Sequence, residues 1–217
     1  MENYVTRQAK NASSSKPTPL SRRDRSQLRR LQILHGARVC FSRIGFHSTS
    51  MAQIAHSARM SVGQIYRHFP SKESLIAGII EDDVNRQVDL LQTALNAAPT
   101  GEAITSVAHR MDHEYAPTRR DYVALMLEIA AEAARNSKVR ALLLAAQLRG
   151  HTIIKKRIEG LHPKAWAKGE LDLRLRLVYA VTQGIASQEM MESRPPSRKL
   201  LARRDELIKL LLTPRAR

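Results

Sequence analysis

Two short apolar patterns, separated by a tight break at residues 59–61, dominate residues 45–72, which read GFHSTSMAQIAHSARMSVGQIYRHFPSK. Their apolar residues recur at helical spacing until a proline stops the second pattern: Met51, Ile54, Ala55 and Ala58, then Val62, Ile65, Tyr66 and Phe69, followed by Pro70. Two short helices joined in this way predict a helix-turn-helix unit. With the apolar faces buried on a neighbouring helix, the polar face of the second helix would be free to enter a DNA major groove.

The second helix of this unit carries polar side chains suited to DNA contact, namely Ser61, Gln64, Arg67 and His68. Residues 61–64 also fit the capping-box spacing Ser-x-x-Gln, so Gln64 can either fold back to cap its helix or reach an adenine edge. Gly63 would let the backbone approach DNA closely, where a larger side chain would collide.

The ends of the neighbouring helices can also be predicted from local signals. Residues 22–44 should form a long first helix, because Gly45 follows its last apolar residue and glycine favours the positive φ of a helix end. Thr49 is the best candidate to cap the second helix, and Ser71 can cap a fourth helix with Glu73 in its first turn. Residues 1–21 are rich in Ser, Pro, Asn and Lys, and are interpreted as a flexible basic arm.

The positive charge of the chain is concentrated around this unit. Residues 1–70 hold twelve Lys and Arg against two acids, a net charge of +10, whereas the remaining residues hold 24 bases and 18 acids. Phosphate neutralisation requires an excess of this kind. Basic surfaces also serve membranes and RNA, so the charge by itself leaves a sequence-tolerant architectural DNA-binding protein as an alternative to a specific gene regulator.

Composition excludes several other classes of protein. Hydrophobic residues make up 43% of the 217 residues, which is enough for a buried core, and no run approaches the roughly 20 apolar residues that cross a bilayer. The single cysteine, Cys40, suits a reducing compartment, so the protein is predicted to be cytoplasmic, and its thiol is interpreted as a buried small side chain. His109 and His113 lack a third ligand, and no catalytic motif is present. Neither an enzyme nor a metal or other cofactor is predicted.

Residues 28–75 resemble the TetR family of bacterial transcriptional repressors. The segments GFHSTSMAQIA and MSVGQIYRHFPSKESL are similar to the family pattern of a glycine–aromatic pair, Thr-Ser, Ile-Ala, Ser-x-Gly-x-Ile-Tyr-x-His-Phe and Ser-Lys-Glu. The resemblance implies an all-α homodimer with about nine helices per chain. Residues 22–80 would form a three-helix DNA-binding domain, and residues 81–217 a ligand-binding and dimerisation domain. The departure is Arg59, which stands where the pattern usually has a glycine in the turn.

The resemblance also implies roles for individual residues in DNA binding. Thr49, Tyr66, His68 and Lys72 match positions that contact phosphates. Ser61, Val62, Gly63, Gln64 and Arg67 match positions that read bases or face the groove. The protein would bind a palindromic operator in double-stranded DNA as a repressor and leave it when a small-molecule effector binds.

The C-terminal part shows five further helical patterns, at about residues 102–115, 119–135, 138–161, 171–191 and 200–212. Apolar faces of this kind normally form core, and the resemblance implies that they also enclose a ligand cavity. Candidate lining residues are Met111, Tyr122, Met126, Trp166 and Met190. Glu128 lies beside the apolar face and either meets a cationic ligand or is solvated or paired with another helix.

The last two helical patterns carry apolar residues that close the core or form a dimer interface. The resemblance implies that these helices pair with their twins in an intermolecular four-helix bundle, in which small residues permit close packing. The residues predicted for this interface are Leu177, Val181, Gly184, Ile185, Leu207, Ile208 and Leu211.

Overall fold

The computed structural model describes residues 21–114, 119–162, 164–192, 194 and 196–213. Over these ranges the chain forms nine α-helices and no strand, which confirms the predicted all-α fold. The helices are α1 (Arg22–Ile44), α2 (Met51–Ser57), α3 (Val62–His68), α4 (Lys72–Ala97), α5 (Thr100–Glu114), α6 (Arg119–Arg135), α7 (Ser137–Leu161), α8 (Glu170–Glu192) and α9 (Arg198–Leu212). None of them is both long and apolar enough to cross a bilayer.

Two compact units make up the chain, residues 1–32 and residues 33–217. The predicted arm falls almost entirely outside the described residues. In the first unit the structure shows the start of α1, where Ser21 and Asp24 cap the helix: each backbone N–H donates to the other side chain at 3.1 Å. Within the second unit, the division between a DNA-binding and a ligand-binding domain near residue 80 stays a prediction.

The helix-turn-helix shares its core with helices from the C-terminal part of the chain. This first core cluster joins residues of α1 to α4 with residues of α6 and α7: Ile33, Phe41, Ile54, Ile65, Phe69, Leu75, Ile79, Leu125, Ile129 and Val139. Close approach of α1 to the end of α2 depends on Gly36, where an added Cβ would lie 2.9 Å from the backbone nitrogen of Ala58. The buried residues of α1, α2 and α4 therefore determine which face of α3 points away from the core.

A second core cluster closes the other end of the bundle. It takes residues from the end of α4 and from α5, α7, α8 and α9: Leu91, Leu95, Ala103, Ile158, Leu171, Leu175, Ile208 and Leu212. Trp166, in the connection between α7 and α8, packs against this second cluster.

An ionic network ties α1 to α4. The Arg38 guanidinium is 2.8 Å from carboxylate oxygens of both Asp82 and Asp83, and it also donates to the carbonyl oxygen of Ile79 at 3.3 Å. Asp83 is buried, so removing Arg38 would leave an uncompensated carboxylate in the interior. The network fixes the direction in which α4 leaves the helix-turn-helix.

Candidate nucleic-acid interface

The turn between α2 and α3 has its left-handed residue at Arg59, with φ of +53°. Arg59 N–H donates to the carbonyl oxygen of His56 at 3.0 Å, and Met60 N–H donates to that of Ala55 at 2.9 Å. Arg59 thus adopts the conformation that glycine favours, at a cost of about 1 kcal/mol. Its side chain is exposed beside the start of α3.

Ser61 and Gln64 form the capping box that the sequence predicts. The hydroxyl of Ser61 accepts from Gln64 N–H at 3.3 Å, and Oε1 of Gln64 accepts from Ser61 N–H at 2.9 Å. Gln64 thus folds back to cap its own helix, which is the first of the two alternatives predicted for it. Contact with an adenine stays a prediction, and it would require Gln64 to leave the cap or to use only its amide N–H groups.

The outer face of α3 is open to solvent. Val62, Tyr66 and Arg67 are exposed, with Tyr66 at 50%, and the space in front of Gly63 is empty for 4 Å. Ile65 is completely buried in the first core cluster, whereas His68 is half-buried. The helix therefore presents an aromatic ring, a guanidinium and a bare stretch of backbone to any partner.

Thr49 does not cap α2, so that prediction is wrong. The cap is Ser50, whose hydroxyl accepts from Gln53 N–H at 3.2 Å while Oε1 of Gln53 accepts from Ser50 N–H at 2.7 Å. Thr49 instead donates its hydroxyl proton to the carbonyl oxygen of Gly45 at 2.7 Å and is only 2% exposed. Its contact with a phosphate stays a prediction.

Lys72 has an internal role that the sequence does not reveal. Its Nζ donates to the carbonyl oxygens of Phe46 and His47, at 2.7 and 3.2 Å, and lies 4.7 Å from the centre of the Phe46 ring. The ammonium group therefore holds the loop between α1 and α2 against the start of α4. A phosphate contact by Lys72 stays a prediction, and it would be made from this fixed position.

Two carboxylates of α6 hold the same loop from the other side. Glu128 accepts from Phe46 N–H at 2.7 Å, and Glu132 lies 2.8 Å from Nε2 of His47. Asn136 donates its amide to the other oxygen of Glu132 at 3.0 Å. The carboxylate of Glu128 therefore accepts a hydrogen bond from a backbone amide of its own chain. This is a structural role, unlike the alternative in which Glu128 faces a cationic ligand.

The described members of the predicted ligand pocket include residues that pack against two different core clusters, and a common ligand site stays a prediction. Met126 packs against the first core cluster, whereas Trp166 packs against the second. The hydroxyl of Tyr122 is 3.5 Å from the side-chain nitrogen of Gln87, and Met190 is half-buried on α8. The side chains of Met111, His109 and His113 lie outside the described residues.

The residues predicted for a dimer interface divide into exposed and buried sets. Leu177 and Leu207 are 45% and 38% exposed, and Gly184 faces open space. Ile208 is only 1% exposed, because it belongs to the second core cluster of its own chain, and its place in an interface stays a prediction. The remaining members, Val181, Ile185 and Leu211, are partly or largely buried.

Cys40 is buried in the first core cluster, as predicted. Burial raises the pKa of its thiol, and a side-chain hydrogen bond with Ser57 acts in the opposite direction. A thiol of this kind is a poor nucleophile at neutral pH.

Helix α3 is capped, has an open polar outer face and buries its inner face against α1 and α4. These features define a helix-turn-helix DNA-binding protein. Residues 33–79 match the family model described as "Bacterial regulatory proteins, tetR family". The chain is 30% identical over 171 residues to the HTH-type transcriptional regulator UidR of Escherichia coli K12, with 76% of this chain and 85% of UidR covered. The chain belongs to the TetR family of transcriptional regulators.

Solved structures show the same fold. Salmonella enterica GusR superposes with a TM-score of 0.70 at 29% identity, over 85% of this chain and 95% of GusR. The regulator FadR of Bacillus subtilis, solved in complex with stearoyl-CoA, superposes with a TM-score of 0.66 at 18% identity, over 86% of this chain and 99% of FadR. At that identity the second likeness concerns the fold alone.

Proposed function

We propose that the protein is a dimeric repressor that binds a roughly palindromic operator and leaves it when a small-molecule ligand binds. The observation that carries this proposal is the outer face of α3, where Tyr66 and Arg67 are exposed beside the open backbone of Gly63. A short helix with a bare, basic outer face fits a major groove, and phosphate contacts around it would fix its register.

Exposed apolar side chains on α8 and α9 support a homodimer. Leu173 and Leu177 on α8, and Leu207 and Leu210 on α9, are all more than one-third exposed. Leucines left in water on two neighbouring helices favour burial against a second copy. A twofold dimer would present two copies of α3, and its operator would repeat its half-site with the same symmetry.

Release by a ligand is supported by the ties between the C-terminal helices and the DNA-binding elements. Arg38 binds α1 to α4, and Glu128 binds α6 to the loop after α1. A ligand that moved α4 or α6 would therefore also move the position of α3. FadR, which has the same fold, was solved with an acyl-CoA, so the fold accommodates a small ligand.

The proposal is tested by selecting tight binders from genomic DNA fragments at physiological salt. Recovery of a few palindromic sites, with two chains bound per site, is the expected result. Binding to every fragment with a steep salt dependence and no enriched site would contradict it and favour the architectural alternative.

Variants of α3 and of Lys72 at the start of α4 separate phosphate contact from base reading. Tyr66→Ala and Lys72→Ala should weaken binding to all sequences alike, whereas Gln64→Ala should change the preferred bases. Gln53→Ala is the matched control, because it removes an equivalent capping side chain from α2. If Gln64→Ala produced only the uniform change seen for Gln53→Ala, Gln64 would act through its cap and not through a base.

A further inference from the structure

A basic cavity of about 340 Å³ lies at the connection between α7 and α8. Small-molecule sites typically start at about 300 Å³. Among the residues that line it are Lys155, Glu159, His162, Lys164, Trp166 and Lys168. Trp166 packs against the second core cluster, whereas α3 packs on the first. The lysines around Trp166 therefore belong to a different part of the structure from the DNA-binding face, and DNA binding by α3 does not explain their presence.

The charge of the cavity favours an anion. Three lysines line it against one acid, Glu159, whose carboxylate is 4.0 Å from Nζ of Lys155 and offsets that lysine in part. The other two, Lys164 and Lys168, are exposed, and no carboxylate of the described residues pairs with them. Like charges gathered in a concave site raise the local concentration of a counter-ion.

Lys164 occupies a strained position at this site. Its φ is +65°, in the left-handed region that costs a residue with a side chain about 1 kcal/mol. Asn or Gly would adopt this backbone at lower cost. Non-glycine residues held in such conformations cluster at ligand-binding positions, where the side chain has a use that offsets the strain.

Trp166 supplies a rigid aromatic wall. The guanidinium carbon of Arg174 lies 5.2 Å from the centre of the indole, and Arg174 also donates to the carbonyl oxygen of Leu211 at 2.6 Å, which holds the stack in place. The indole Nε1–H is buried and has no acceptor among the described residues. The indole ring offers a large apolar surface to the hydrocarbon part of a ligand.

We propose that this cavity binds a small organic anion with a carboxylate or phosphate group. Lys164 and Lys168 pair with the anionic group, and the apolar part of the ligand lies against the indole of Trp166. The proposal concerns binding at this cavity alone and does not depend on the operator.

Trp166 is the single tryptophan of the chain, so its fluorescence reports on the site directly. The probes are cyclohexanecarboxylate, its neutral isostere cyclohexanecarboxamide, and inorganic phosphate, each titrated into the full chain at constant ionic strength. We expect a saturable change with the carboxylate, competition by phosphate, and a much weaker response to the carboxamide. No saturable response to either anion, or equal binding of carboxylate and carboxamide, would overturn the proposal.

Variants test which lysines hold the anion. Lys164→Asn and Lys168→Gln should each weaken carboxylate binding by up to about fivefold, the effect of one exposed ion pair. Lys164→Asn should also leave the melting temperature unchanged or higher, because Asn tolerates the left-handed backbone. Lys156→Gln is the matched control, since this exposed lysine of α7 does not line the cavity. An equal loss in Lys156→Gln would reveal general attraction to a basic surface and refute the site.

Discussion

The contact between α1 and the end of α2 can be tested at Gly36. A Cβ built on this residue would lie 2.9 Å from the backbone nitrogen of Ala58 and 3.1 Å from its Cβ. Backbone atoms cannot rotate out of the way, so Gly36→Ala requires the two helices to move apart. Because α3 follows α2 after a short turn, such a movement would also shift the DNA-binding face.

The size of the effect follows from two opposing contributions. Alanine gains about 1 kcal/mol over glycine in a helix interior, whereas overpacking a well-packed contact costs about 1–3 kcal/mol. We therefore expect Gly36→Ala to lower the free energy of unfolding by up to about 2 kcal/mol, and the melting temperature by several degrees. Gly160→Ala is the matched control, since nothing lies within 4 Å of a Cβ there. It should leave stability unchanged or raise it by up to about 1 kcal/mol.

Chemical denaturation of both variants measures the difference, and gel shift with the selected operator measures its effect on DNA binding. Gly36→Ala should lose stability and operator affinity, while Gly160→Ala keeps both. A Gly36→Ala protein that is as stable as the Gly160→Ala control would refute the inference that α1 and α2 are in backbone contact at this point.

Three further changes test other parts of the structure. Arg59→Gly should change the free energy of unfolding by less than about 1 kcal/mol, because relief of the left-handed strain is offset by the greater freedom of glycine in the unfolded chain. If stability is unchanged but the gel shift with the operator is weaker, Arg59 contacts a phosphate. Arg38→Met should cost about 3–5 kcal/mol in chemical denaturation, since it leaves the carboxylate of Asp83 buried without its partner, and Arg38→Met with Asp83→Ala should recover part of that loss. Gly184→Ala should raise the dissociation constant of the dimer in sedimentation equilibrium, whereas a more stable chain with an unchanged dimer would place Gly184 outside the interface.

The sequence predicts those features of the fold that depend on neighbouring residues. The bounds of α1 agree with the prediction, because Gly45 ends the helix with φ of +85°. The caps at Ser61 and Ser71 are likewise local, since each depends on residues three positions apart. The positive φ at Arg59 could be expected from the glycine that the family pattern has there.

Features that depend on residues far apart in the chain could not be predicted. Three consecutive hydroxyl residues precede α2, and the prediction chose Thr49 among them; only the packing of the preceding loop, which turns Thr49 inward, leaves Ser50 as the cap. The bond between Phe46 and Glu128 joins residues 82 positions apart, and no local pattern marks it. Ile208 shares the helical spacing of its exposed neighbours, so spacing could not separate the core face of α9 from its outer face.

The loop between α1 and α2 is the place where these distant contacts meet. Lys72 at the start of α4 binds its carbonyl oxygens, while Glu128 and Glu132 of α6 bind its N–H and imidazole groups. The proposed movement of α4 by a ligand therefore cannot leave α6 unaffected, because both helices hold the same few residues. A ligand that displaced α6 alone would break hydrogen bonds of the loop that precedes α2, and so would disturb α3 without bending α4. The fold thus provides two connected routes from the C-terminal helices to the DNA-binding face.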